Sequence, residues 1–262
     1  MKIGFIGVGN MGSALAKAVS LVSVKNEIYV NDSCTEKAEA FCRANGAEMK
    51  SNEDICRECD VVFLGVKPQV LISLLEQIAP ALNKSLVVSM AAGVGLESIE
   101  EKLGVNCPVI RIMPNIPVSV GKGVVLYCAN KSVTQSQISA FEEIMSGVGM
   151  LDNLDEKLFD AASALSGCGP AFVAMFIESL ADGAVSCGVP RDKALAYAIN
   201  TVMGTAEYLN DTKMHPSALK DAVCSPAGST IEGVKKLEEG RMRATVENAV
   251  CASYRRTKEL GK

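Results

Sequence analysis

The first twelve residues constrain the fold most. An apolar run, Ile3-Gly4-Phe5-Ile6, breaks into Gly7-Val8-Gly9-Asn10-Met11-Gly12, and an alanine-rich, helix-favouring segment follows at once. Gly7 permits a tight turn, Gly9 leaves the main chain open to a ligand, and Gly12 lets helix and strand pack closely. Glycines end many strands, so a plain turn is the alternative reading. The position favours a dinucleotide instead, because the motif stands at the first junction of an alternating strand–helix pattern. There the free N–H groups and the positive end of a helix dipole meet a pyrophosphate.

That alternation continues. Strand-like runs fall at 3–6, 27–31, 60–66, 85–89 and 109–113, with helical periodicity at 13–22, 36–44, 70–82 and 96–103 between them. Such a pattern predicts an α/β domain with a doubly wound parallel sheet over 1–152. Its strands are covered on both faces, and Val61-Val62-Phe63-Leu64-Gly65-Val66 is an unbroken apolar run of the kind this demands. After Asp155 the strand signal stops. Ala194, Leu195, Ala198, Ile199, Val202, Met203, Ala206 and Leu209 form one helical stripe, and 158–165, 171–185 and 244–254 are equally helical. An all-α domain is expected over 153–262. Its stripes are wider than a small bundle needs for its own core, so they predict a core shared between two copies.

Composition narrows the function. With 262 residues, 48% hydrophobic and 21% charged, the chain is an ordinary globular protein with room for two domains. A net charge of −4 argues against a nucleic-acid binder. The basic stretch 235–262, with Arg241, Arg243, Arg255 and Arg256, has the spacing of a solvated helix face. No unbroken run of 18 apolar residues occurs, so no membrane-spanning helix is expected. The first residues enter a strand without a signal-peptide layout, and the expected location is the cytoplasm. Ten cysteines raise a metal reading, yet Cys56-Arg57-Glu58-Cys59 is the only CxxC and His215 the only histidine. A zinc site wants a second pair, so free thiols in a reducing compartment and no metal are expected.

Further signals lie at the carboxyl ends of the strands, where open α/β sheets bind ligands. Asp32 stands twenty residues beyond Gly12, where a carboxylate accepts hydrogen bonds from an adenosine ribose and favours NAD(H). Alternatively, Asp32 or Ser33 caps the helix that follows. If a 2′-phosphate is taken, Ser33 and Lys37 are the neighbours placed to take it. Gly65-Val66-Lys67-Pro68 and Ser89-Met90-Ala91-Ala92-Gly93 end two more strands at this edge.

Seven stretches together resemble the pyrroline-5-carboxylate reductase family, the last enzymes of proline biosynthesis: GFIGVGNMG, FLGVKP, SMAAGV, RIMPNIPV, ALSGCGPAF, DGAVSCGVPRDKA and HPSALKDAVCSPAGSTIEGV. The likeness runs nearly end to end, and the last three stretches are the most specific. It implies a Rossmann domain followed by an interlocking helical domain, and NAD(P)H-dependent reduction of a ring C=N to give L-proline. Carried over by position, it places the cofactor, NADPH or NADH, on Ile6, Gly7, Val8, Gly9, Asn10 and Met11. Asn52, then Val66, Lys67 and Pro68, then Met90, Ala91 and Ala92 are its other implied contacts. The substrate loop becomes Ser225-Pro226-Ala227-Gly228-Ser229-Thr230. Gly228 and Ser229 are implied carboxylate binders, and Thr230 the hydrogen-bonding residue near the ring nitrogen. The loop precedes an amphipathic run, so it is expected to open a helix and offer N–H groups; a mere helix cap is the alternative. His215-Pro216 is expected to begin a helix.

The chain departs from the family pattern at Ala227 (usually glycine), at Cys168 (commonly serine), at Ala222 (asparagine in some members) and at Asp32-Ser33, where many NADPH-using members carry a polar or arginine-bearing turn. Two other functions fit the same plan: a reductase of β-hydroxyacids or larger imines, and a non-catalytic dinucleotide-binding regulator. The first would normally show a catalytic lysine in the helical half, and no matching motif carries one.

Overall fold

The structure, a computed structural model, describes residues 1–22 and 26–260. Residues 261 and 262, the last two of the expected helical domain and basic stretch, lie outside the described residues. The chain forms two compact units. One comprises residues 1–168 with the segment from Ser253 onward; the other is Gly169–Ala252.

In the first unit the elements up to the middle of the sheet are β1 (Lys2–Ile6), α1 (Asn10–Val22), β2 (Glu27–Asn31), α2 (Thr35–Asn45), β3 (Glu48–Met49), α3 (Asn52–Glu58) and β4 (Val61–Leu64). Then come α4 (Pro68–Ile78), β5 (Leu86–Ser89), α5 (Leu96–Leu103), β6 (Val109–Pro114), β7 (Gly123–Ala129), α6 (Gln135–Ile144), β8 (Gly149–Asn153) and α7 (Phe159–Ser166). One sheet has the order β3-β2-β1-β4-β5-β6-β7-β8. It is parallel from β3 to β6, as the alternation predicts. β7 then runs antiparallel to β6, an exception that the expected parallel sheet lacked. The physical reason is length: residues 115–122 carry only a 3₁₀ turn, whereas a parallel return needs a dozen residues or more.

The period-2 alternation of the strands splits the core between the two faces of the sheet. Ile3, Phe5, Val61 and Phe63 point into one cluster, and Ile6, Val62 and Leu64 into the other. Phe5 and Phe63 stack across neighbouring strands with ring centroids 4.6 Å apart. Chain order reverses between β1 and β4, because β1 is hydrogen-bonded to β2 on one side and to β4 on the other. That reversal leaves a crevice beyond their carboxyl ends.

The second unit holds α8 (Gly169–Ser186), α9 (Arg191–Thr212), α10 (Pro216–Ala222) and α11 (Ser229–Glu239); α12 (Met242–Leu260) runs from it into the first. Its own core is small: Ala181, Ala194 and Ala198, with Ile177, Val185 and Val189 packed against them. Met175, Tyr197 and Met203 are each more than half exposed in the single chain. By length and composition, one helical stretch, Glu156–Ser186, is apolar enough to cross a membrane. Length and average hydropathy alone do not make a span, and glycine and serine interrupt the apolar run, as the sequence shows. His215 opens α10 as expected, its Nδ1 accepting the Ser217 N–H at 3.2 Å.

Candidate dinucleotide and substrate sites

The crevice at the end of β1 and β4 is built from three interlocked glycines. Gly7 has φ +97°, where an L side chain is strained. A Cβ on Gly12 would lie 2.1 Å from the Gly7 carbonyl oxygen, and one on Gly65 would lie 2.4 Å from the same atom. Turn, helix and β4 therefore meet backbone to backbone. Gly9 is different, since a Cβ there would meet nothing within 4 Å. Gly9 instead lines a cavity of about 590 Å³. α1 begins one residue later, so its first N–H groups and positive dipole end stand at the loop.

The cavity brings together Ile6, Gly7, Gly9, Asp32, Ser33, Asn52, Val66 and Lys67 of the expected cofactor contacts. Val8, Asn10, Met11, Gly12, Pro68, Met90, Ala91 and Ala92 are not among its lining residues. Gly12 serves packing, Val8 and Ala91 are buried, Met11 and Met90 pack against the core, and Pro68 is the first residue of α4. Sequence reasoning missed the packing role of Gly65 and the α4 face that closes the cavity, Val70, Ser73, Leu74 and Gln77. No apolar periodicity marks that face, because Ser73 and Gln77 are exposed and polar while the apolar stripe of α4 is Leu71, Leu74, Leu75 and Ile78.

Asn52 Oδ1 is buried and has no hydrogen-bond partner among the described residues. A buried acceptor left bare is uncommon, and a ribose hydroxyl would satisfy it. Lys37 and Lys67 also line the cavity and make no ion pair among the described residues. An open Gly9, a bare acceptor and two free cations fit a phosphate-bearing nucleotide. Asp32 lines the cavity and also ties down the loop around it. Its Oδ2 accepts the Val8 N–H at 2.8 Å and its Oδ1 the Cys34 N–H at 2.9 Å, so the protein itself engages both oxygens.

The Gly9 geometry separates binding from folding. Gly9→Ala is expected to keep the wild-type melting temperature while lowering dinucleotide affinity at least about tenfold, because the methyl group fills space a pyrophosphate needs. Thermal unfolding and a fluorescence titration check the two halves; a large drop in melting temperature would mean that the cavity wall, not the ligand, needs this glycine.

In the second unit, residues 225–228 form a turn closed by the Gly228 N–H donating to the Ser225 carbonyl at 3.0 Å. Ala227 sits at φ +58°, the third position of a turn that usually takes glycine there. Gly228 then caps α11 without any side-chain hydrogen bond, which leaves first-turn N–H groups available to an anion. The loop opens a helix as expected. Thr201, Thr205 and Thr212 turn their hydroxyls onto carbonyls four residues back, whereas Ser229 and Thr230 are exposed and bond nothing among the described residues.

The pyrroline-5-carboxylate reductase dimerisation family model matches residues 156–260, and the coenzyme F420-dependent NADP oxidoreductase model matches 2–93. The chain is 42% identical to a pyrroline-5-carboxylate reductase of Methanosarcina acetivorans, covering 100% of this chain and 98% of the relative. To the Glycine max enzyme it is 38% identical, over 98% of this chain and 95% of that one. Among solved structures it is similar to Plasmodium falciparum pyrroline carboxylate reductase with NADP bound, at 33% identity and TM-score 0.89, covering 100% of this chain and 98% of the other. The Coxiella burnetii pyrroline-5-carboxylate reductase gives TM-score 0.90 at 33% identity, over 99% and 98%. Prephenate dehydrogenase of Aquifex aeolicus, at 15% identity and TM-score 0.56, shares the fold alone. With relatives this close over nearly its whole length, the chain belongs to the pyrroline-5-carboxylate reductase family.

Proposed function

We infer that this chain is an NAD(P)H-dependent oxidoreductase that reduces 1-pyrroline-5-carboxylate to L-proline. The observation that carries the reading is the full-length likeness to reductases of that name, on a chain with an open glycine cradle. When bound, the dinucleotide supplies the hydride. The chain supplies placement, which is worth roughly 7–11 kcal/mol when reacting atoms are well oriented. Gly9 and the start of α1 take the pyrophosphate, and Asn52 Oδ1 accepts from a ribose hydroxyl. At the start of α11, Gly228 and Ser229 offer N–H groups to the substrate carboxylate, while the Thr230 hydroxyl bonds near the ring nitrogen. A cyclic imine protonated on that nitrogen is already electrophilic, so Thr230 needs to orient the ring rather than titrate.

The division of labour proposed is a dinucleotide domain over 1–152 and a dimerisation and substrate domain over 153–262. A reducing cytoplasm suits the chain, whose ten cysteines are all free. Loss of reduced-nicotinamide absorbance on mixing purified protein, cofactor and 1-pyrroline-5-carboxylate tests the reaction. No turnover with this imine, but turnover with a β-hydroxyacid, would move the chain to the rival reductase class.

The chain is a homo-oligomer, and a second copy gives the apolar surface of α8 and α9 its cover. Sedimentation at micromolar concentration is expected to show a dimer or a multiple of it. A stable, active monomer would end this assignment.

A further inference from the structure

We propose that Asn115 is a positioning residue for hydride transfer, which fastens the end of α7 to the ligand edge of the sheet. The inference rests on the reading of the chain as a dinucleotide-dependent reductase. It goes further by naming a residue outside both the glycine cavity and the α11 loop. The need for it is written in the sequence. Within a helix the Ser166 carbonyl would accept from the N–H four residues on, but that residue is Pro170, which has none. A side chain from a distant strand takes its place, because Asn115 Nδ2 donates to the Ser166 carbonyl at 2.9 Å. Asn115 is 7% exposed, and its Oδ1 accepts the Val124 N–H at 2.8 Å. One buried amide thus joins α7, the end of β6 and the start of β7, with both its donor and its acceptor engaged.

The same face of β6 holds the other end of α7. Asn115 is still extended, with φ −123° and ψ 166°, so the strand period puts Arg111 and Asn115 on one side. Arg111 reaches Glu156 at 2.9 Å and Asp160 at 3.8 Å, and Glu156 also accepts the Leu96 N–H beyond the end of β5. All of these groups belong to the first unit. The loop after β5, the end of β6 and α7 are therefore fastened into one block. Met90, Ala91 and Ala92, the implied cofactor contacts of that loop, end the strand next to β6. Play at Asn115 would move the wall against which the reacting ring is placed, and a misplacement of about 1 Å costs roughly a hundredfold in rate.

A single turnover tests this, in which the full-length protein loaded with reduced dinucleotide is mixed rapidly with 1-pyrroline-5-carboxylate. The dinucleotide is used with and without deuterium at the transferred C4 position. The rate constant reports geometry, whereas the amplitude reports how much of the protein is folded. Asn115→Ala is expected to slow transfer at least about tenfold, with an isotope effect on the slowed step and a dinucleotide Kd within about twofold of wild type. Adding Pro170→Ala offers the Ser166 carbonyl a donor from its own helix. That change should raise the melting temperature of the Asn115→Ala protein yet leave transfer slow, because α7 is still untied from β6. Full-rate transfer by the Asn115→Ala protein overturns the proposal. So does recovery of the rate on adding Pro170→Ala, since the bond would then only satisfy one carbonyl. Weaker dinucleotide binding with transfer unslowed would make Asn115 a ligand contact and overturns it too. An unchanged protein that binds dinucleotide and never reduces the imine would remove the reaction reading itself.

Discussion

Glu156→Ala is expected to destabilise the protein by about 3 kcal/mol, seen as a fall in melting temperature of roughly 6–12 °C. Arg111 on β6 is the cause. Its side chain is only 5% exposed, and its guanidinium lies 2.9 Å from Glu156 Oε1 but 3.8 Å from Asp160 Oδ1. The Phe159 ring packs 4.9 Å from its central carbon, so little water reaches the charge. Its Nε is already without a hydrogen-bond partner among the described residues. Removing Glu156 therefore leaves a buried cation with one distant counter-ion, the arrangement that costs about 3–5 kcal/mol. Glu156 is itself a third exposed, which places the estimate at the lower end. The same Oε1 accepts the Leu96 N–H at 2.8 Å and so caps α5, whose own cap residue Gly95 has no side chain to offer. Adding Arg111→Met to Glu156→Ala should recover part of the loss, because no charge is then buried. If urea unfolding shows less than about 1 kcal/mol for the single change, the pair does not hold this face of the sheet.

Periodic features were legible in the sequence, and features made by contact between distant segments were not. β1, β2 and β4 to β6 are apolar runs bounded by turns, and they occur close to the expected spans. β3 has two residues and α3 seven, too few for any period to show. β7 is as apolar as β4, but no helix separates it from β6, and the alternation ends there. The α6 start carried a readable signal, Thr134 followed by Gln137, and the structure forms that capping box. At the site, Gly7, Gly9 and Gly12 declare themselves by spacing. Gly65 does not, because its need for a bare Cα comes from the Gly7 carbonyl 58 residues away in sequence. Asp32 was visible as a carboxylate at the right distance from the loop. Its two N–H partners depend on how two turns fold against each other, which no spacing encodes.

Thr230→Ala is expected to lower kcat/KM for 1-pyrroline-5-carboxylate by roughly ten- to a hundredfold, while dinucleotide affinity stays within about twofold of wild type. The hydroxyl stands at the second residue of α11, exposed and bonded to nothing among the described residues, so its removal breaks no internal contact. Stability should then be unchanged, and the whole loss should appear when substrate is present. A hydrogen bond to a charged or strongly polar group contributes about 1.5–3 kcal/mol, which sets the size of the effect. Because the ring must be held more firmly in the transition state than on arrival, kcat should fall more than KM rises. Thr230→Ser keeps the oxygen and should restore most of the activity. Gly9→Ala gives the reverse signature, with cofactor affinity lost first, because it alters the cradle more than two hundred residues earlier in the chain. Steady-state kinetics alongside cofactor titration distinguish the two. Full kcat/KM in the Thr230→Ala protein would remove the α11 loop from the substrate site and leave the reading of the glycine cradle untouched.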